Sequence, residues 1–150
     1  MSQRIQTVYL FVAFILLGFL FFIPFASLVS NVVYSFSLVG ISSLNSEEVF
    51  QQPYWLSALG GATALLVFIT IFMYKNRKLQ MKLTVVAILL SLALNGAMYY
   101  LTDSFSSQFA AQVRYTVAFI FPVISSILLI LAYRGIRKDE NLIKSLDRIR

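Results

Sequence analysis

The chain has no cysteine and no histidine, and its charged residues make up only 12%. Without cysteine, disulfides, thiol nucleophiles, iron–sulfur ligation and thiolate zinc sites are excluded within it. Without histidine, the usual general base near neutral pH goes too, as do the usual transition-metal and haem ligands. Catalysis would have to rest on carboxylates, lysine, tyrosine or serine. Two of the six acidic residues, Glu47 and Glu48, are adjacent and point apart on a helix or a strand alike, a poor acid and base pair. No histidine can activate the many serines, and no glycine-rich phosphate loop is present. The expectation is therefore a protein that is not an enzyme, with no catalytic residues, no metal and no cofactor.

What the chain has in abundance is apolar surface. Hydrophobic residues are 59% of the 150, far above the globular average. Four runs are long enough to cross about 30 Å of hydrocarbon, which takes roughly 20 residues in a helix. They are Thr7 to Val29, Tyr54 to Tyr74, Leu83 to Leu101 and Tyr115 to Tyr133. The runs lack the polar alternation of barrel strands, so helices must satisfy their backbone groups in lipid. No Asp, Glu, Lys or Arg falls inside any of them. Ion-coupled carriers generally use such a group, so that class loses its usual coupling element.

Basic residues gather between and beyond the runs. Arg4 precedes the first, Lys75, Arg77, Lys78 and Lys82 separate the second and third, and Arg134, Arg137, Lys138, Lys144, Arg148 and Arg150 follow the fourth. Only Arg114 lies on the other side. The positive-inside bias then puts both termini in the cytoplasm, and leaves Glu47, Glu48 and Asp103 outside. Tyr54, Trp55, Tyr99, Tyr100 and Tyr115 fall at the outer boundary, and Tyr9, Tyr74 and Tyr133 at the inner one, as headgroup-level aromatics do. The net charge of +6 follows from this topology and is no sign of nucleic-acid binding.

The expected fold is an all-α membrane protein, a four-transmembrane-helix up-down bundle with both ends inside and a short amphipathic C-terminal helix. Residues 1–133 form the transmembrane domain, with an outer loop over 30–53, and residues 134–150 form a basic cytoplasmic tail. The first run exceeds a signal-peptide core of about 7 to 15 residues, so it is expected to stay as an anchor despite the small residues at Ala26-Ser27. In the outer loop, Val32, Tyr34, Phe36 and Leu38 repeat with a strand-like period of two before Gly40, although a first helix continuing past Pro24 is equally compatible. Thr102 to Gln112 reads as a short polar connection.

Small residues let membrane helices approach closely. Ser57 with Gly61 and Gly60 with Ala64 make such pairs, expected to pack on the third or fourth span. Asn95, the most polar residue deep in a run, is expected to bond to Ser91, Ser125 or Ser126. Pro122, about two turns into the fourth run, is expected to kink it. Asp103 and Arg114 are expected to pair across the outer connection. In the tail, Leu142, Ile143, Leu146 and Ile149 share a face and Glu140 precedes Lys144 by four, an amphipathic helix for the anionic membrane surface or a cytosolic partner.

The opening Met1-Ser-Gln-Arg-Ile-Gln-Thr-Val-Tyr-Leu10 and the closing Ala132-Tyr-Arg-Gly-Ile-Arg-Lys-Asp-Glu140 and Lys144-Ser-Leu-Asp-Arg-Ile-Arg150 resemble a bacterial family of small four-span proteins. This is domain-of-unknown-function family 4293, found mainly in Bacteroidota. The resemblance implies an inner-membrane location and carries no activity or functional residue. With both patterned ends in the cytosol, Gln3-Arg4-Ile5-Gln6 and Asp147-Arg148-Ile149-Arg150 are expected to touch each other or one shared partner. Gln3, Arg4, Arg137, Lys138, Lys144, Arg148 and Arg150 are the candidates for contact with a partner or the membrane surface. The expected partners are the lipid bilayer and other membrane proteins. The function expected is an accessory or assembly subunit of a membrane complex, with a small channel or carrier for a neutral or lipidic substrate as the alternative.

Overall fold

The computed structural model of the chain describes residues 2–30, 32–43, 46–51, 53–109 and 111–147. It holds four helices, α1 (Ser2–Phe19), α2 (Tyr54–Phe72), α3 (Arg77–Phe109) and α4 (Phe121–Asp147). Five short strands accompany them: β1 (Ala26–Val29), β2 (Val33–Phe36), β3 (Ile41–Ser43), β4 (Ser46–Gln51) and β5 (Gln112–Tyr115).

Each helix buries one stripe. Leu10, Ala13 and Leu17 recur at helical spacing along the first, with Leu20 in phase just past its end, and Leu56, Gly60, Thr63, Val67 and Thr70 along the second. Thr84, Ala87, Ser91, Leu94 and Met98 do so on α3, and Ser125, Leu129, Ala132, Ile136 and Asp139 on α4. The opposite faces carry exposed Phe11, Leu65, Phe68, Leu89, Leu92, Ile127 and Ile130, the reverse of a soluble bundle, where that face is polar. Three helices, α2, α3 and α4, are long and apolar enough to cross a membrane. The buried threonines Thr63, Thr70, Thr84 and Thr102 each donate to the carbonyl one turn back, at 2.7–2.8 Å, so their hydroxyls need no partner from another helix.

The helices form a ring in which α1 touches α2 and α4, and α3 touches the same two. Neighbours run antiparallel. Going up α1 from Gln6 to Ala13 means going down α4 from Asp139 to Ser125, and Ser91 then Asn95 on α3 meet Ser126 then Phe119.

Three expected boundaries move. The first helix ends at Phe19, well short of Val29, and is the shortest of the four at 18 residues, about 27 Å. Pro24 accounts for the stop: its ring would clash with the carbonyl of Leu20 and it offers no amide proton. Tight turn bonds at Gly18, Phe19 and Phe21 wind the chain out, and β1 follows. In the outer loop the strand period prevails over helix continuation.

The polar connection after the third run is also replaced. Helix α3 spans 33 residues, about 50 Å, and carries on to Phe109 before β5. Strand β5 takes up Tyr115, the expected start of the fourth span, and joins a five-stranded antiparallel sheet of order β4-β3-β2-β1-β5, with Leu28 opposite both Tyr34 and Val113. The Phe105 ring, on the last part of α3, lies 5.5 Å from that of Phe36 on β2. The sheet thus sits at the end of the bundle away from the termini.

Finally, α4 runs unbroken through Gly135 for 27 residues, so the tail continues the helix and does not leave it there. Glu140 and Lys144 pair at 3.6 Å, in line with their spacing of four. Pro122 is the second residue of α4, in the first turn, where a missing amide proton is tolerated, and not a mid-helix kink.

Candidate functional site at the basic end of the bundle

Where α1 begins and α4 projects, the Gln6 amide donates to the Asp139 carboxylate at 2.8 Å, both side chains being buried. A carboxylate here is held by hydrogen bonding and not by solvent, which makes its donors indispensable. Gly135, one turn before Asp139, explains how Gln6 gets there: a Cβ on Gly135 would stand 2.7 Å from Gln6 Cγ and 3.1 Å from Nε2. The two ends of the chain thus touch through Gln6 and Asp139. Gln3 and Arg4 lie in the first turn of α1, while Arg148 and Arg150 lie outside the described residues.

Beside this contact a cavity of about 650 Å³ opens between α1, the end of α2 and the start of α3. Its polar wall comes from Gln6, Thr7, Tyr74, Arg77 and Gln80. Val8, Phe11, Ile71 and Phe72 make the rest. Thr7, Tyr74 and Arg77 lie toward the bundle's end and Phe11 and Ile71 toward its middle, while Gln80 reaches in level with Thr70. Gln80 is buried, and its amide nitrogen donates to the Thr70 carbonyl at 3.2 Å, tying α3 to α2 across the tight turn. Asn76 caps α3, its side-chain oxygen accepting from Leu79 N–H at 3.3 Å.

The same end gathers Lys75 before the α2–α3 bend, Arg77, Lys78 and Lys82 from the start of α3, and Arg134, Arg137 and Lys138 from α4. Arg137 and Lys138 are exposed, and Lys144 is exposed while paired with Glu140.

The other singled-out residues have structural neighbours unlike those expected. Gly60 packs against Leu38, whose Cδ1 would lie 2.8 Å from an added Cβ, and the Ser57 hydroxyl donates to the Leu38 carbonyl. The small face of α2 therefore receives the β2–β3 hairpin tip, not a third or fourth helix. A Cβ added at Gly61 would meet the Phe21 ring at 3.9 Å, an ordinary contact. Asn95 donates to the Phe119 carbonyl at 2.8 Å, a group left over because Pro122, three residues on, has no proton to offer. Ser91 instead bonds Ser126 at 2.9 Å and the Pro122 carbonyl at 2.6 Å, and Ser125 donates to Ala13. Asp103 and Arg114 form no ion pair with each other: Arg114 is fixed on β5 opposite Ser27. Asp103 acts on Tyr115, whose phenol is raised above 10.0 by burial first, then by Tyr99 and Asp103.

Gln80 and Asp139 are not singled out by the sequence, and Gln6 enters only as the last residue of the Gln3–Gln6 motif, yet a signal exists for all three. Each extends a buried stripe: Gln6 ahead of Leu10 and Ala13, Gln80 ahead of Thr84 and Ala87, and Asp139 after Ala132 and Ile136. A polar residue in phase with a core stripe and just past an apolar run needs an internal partner.

No curated protein matches this chain. A family model does, described as Domain of unknown function (DUF4293) and aligned with residues 2–149. That alignment takes in both patterned ends, the Gln6–Asp139 contact between them and the sheet at the far end, and on its strength the chain belongs to the DUF4293 family.

Proposed function

We propose that this is a multi-pass protein of a bacterial inner membrane, crossing four times with both ends in the cytosol and serving as a non-enzymatic accessory or assembly subunit of a larger membrane complex. The observation that carries the reading is the convergence of chain ends, basic residues and a projecting helix at one end of the ring. Gln6 and Asp139 clamp α1 to α4 there, and α4 continues beyond the apolar part to Asp147 with Arg137, Lys138 and Lys144 exposed. A lipid-embedded body offers a partner few handles, whereas a rigid basic helix held by a buried clamp offers one that keeps its shape. In this reading α1 crosses with the help of the apolar turn from Leu20 to Phe25, and the sheet lies on the outer side.

A carrier route past Asn95 and Pro122 is the weaker alternative, because Asn95 already serves the Phe119 carbonyl and Pro122 lies in a first turn. Affinity purification in mild detergent tests the accessory role. A defined set of membrane proteins should accompany the full chain and be lost when residues 138–150 are removed. Recovery of the protein alone, with the truncated form fully functional in the cell, refutes it.

A further inference from the structure

We infer that the cavity between α1, the end of α2 and the start of α3 binds one anionic phospholipid of the surrounding bilayer. The inference rests on the membrane reading above and goes beyond it by assigning a ligand to a specific site. Three observations carry it. The volume, about 650 Å³, is in the range of small-molecule sites. Its lining is graded: Tyr74 and Arg77 stand at the bundle's end and Phe11 and Ile71 lie further in, matching a molecule with a polar head and an apolar chain. Arg77, the one cation in that wall, has no carboxylate partner among the described residues. A guanidinium suits a phosphodiester through paired donors. Exposed Lys75 and Lys78 flank it and give the mouth further positive charge. Free phosphate would leave the apolar wall unused, and a zwitterionic lipid would bring, beside the same phosphodiester, a headgroup cation that Arg77, Lys75 and Lys78 repel.

The test uses the full chain in vesicles. With Trp55, the single tryptophan, changed to Phe and a reporter placed by Phe72→Trp, brominated phosphatidylglycerol and brominated phosphatidylcholine are compared as quenchers. Brominated phosphatidylglycerol should be preferred about fivefold, the equivalent of one cation held at an anionic lipid surface. Arg77→Gln should remove the preference, Arg77→Lys should keep most of it, and Lys138→Gln on α4 should leave it intact. Equal quenching by both lipids overturns the site while leaving the membrane reading standing. No quenching by either overturns the membrane reading itself. A preference that survives Arg77→Gln overturns the headgroup assignment. Native mass spectrometry of the unmodified chain, taken from an equimolar mixture of the two lipids, decides the same question without any substitution: retention of one phosphatidylglycerol supports the site, and no selective retention refutes it.

Discussion

Gln6, one turn into the first helix, donates across 2.8 Å to Asp139 near the end of the last, so the two ends of the sequence are joined by a buried hydrogen bond. Removing the donor with Gln6→Ala should lower stability by about 1–3 kcal/mol, because a buried acceptor loses one of its hydrogen bonds. Gln6→Glu makes a sharper test. Two carboxylates would then share the site, and like charges raise their folded-state pKa above the unfolded value. Stability is then present at low pH and lost as pH rises through the raised value. The melting temperature in detergent, relative to the parent chain, should fall as the pH rises from acid to neutral. An unchanged difference across that range would argue against the contact.

Two glycines in mid-helix should respond oppositely to alanine. Gly135→Ala drives a methyl into Gln6, 2.7 Å away, and should destabilise by about 1–3 kcal/mol. The loss should shrink in a Gln6→Ala background, which a double-mutant cycle reads directly. A Cβ added at Gly96 would meet no other side chain or distant backbone within 4 Å. Gly96→Ala should therefore be neutral or stabilising by up to about 1 kcal/mol.

Asn95→Leu should cost about 0.6 kcal/mol and at most about 1.7 kcal/mol, the average and the upper end for hydrogen bonds between membrane helices. If the need for Asn95 comes from the missing proton of Pro122, then Pro122→Ala, which restores a backbone donor, should soften the effect of Asn95→Leu. Thermal melts of the two single variants and the double variant decide it.

These contacts mark the boundary of what the sequence could disclose. Apolar stripes, the pairing of Glu140 with Lys144 and the period of two around Tyr34 and Phe36 are local patterns that survive into the structure, whereas the basic turn expected over Lys75–Lys82 shrinks to the bend at Asn76 because α3 already begins at Arg77. The early stop of α1 was half legible, since Pro24 marked a break but not how much chain before it would unwind. The pairing of Leu28 with Val113 was not legible at all. Strand preference depends on the neighbours a residue finds, and those neighbours came from opposite ends of the chain. Asn95 was recognised as needing a partner, but an amide accepts any carbonyl in reach. Which carbonyl is free depends on a proline on another helix.

Leu38 is the hinge between sheet and bundle, fully buried at a hairpin tip and seated on Gly60. Leu38→Ala should destabilise by about 2–5 kcal/mol through lost burial and a residual cavity. Protection of the β2 and β3 amides from hydrogen exchange should fall more than that of the α3–α4 contact. Uniform loss across the chain would instead mean that the sheet and the helices melt as one unit.

Tyr115 gives a spectroscopic check on the β5 register. Partial desolvation of a side chain that stays nearly half exposed, with Tyr99 and Asp103 adding to it, raises its phenol above 10.0, so the neutral form is favoured by folding. Any contribution to stability is present below that pH and is lost as pH climbs through the raised value. The ultraviolet titration of the parent chain minus that of Tyr115→Phe should isolate a phenol with a midpoint above 10.0. A midpoint at or below that figure would displace Tyr115 from its place beside Tyr99.

Because the first and last helices are neighbours and the tight turn at Asn76 opens at the same end, the order in which the helices are synthesised is separable from the order in which they pack. A circular permutant opened at Asn76, with the old termini joined by a flexible linker, would place its new ends on the face where the natural ones already are. No helix would have to reverse its direction, and the halves flanking Asn76 could be supplied as two polypeptides that reassemble.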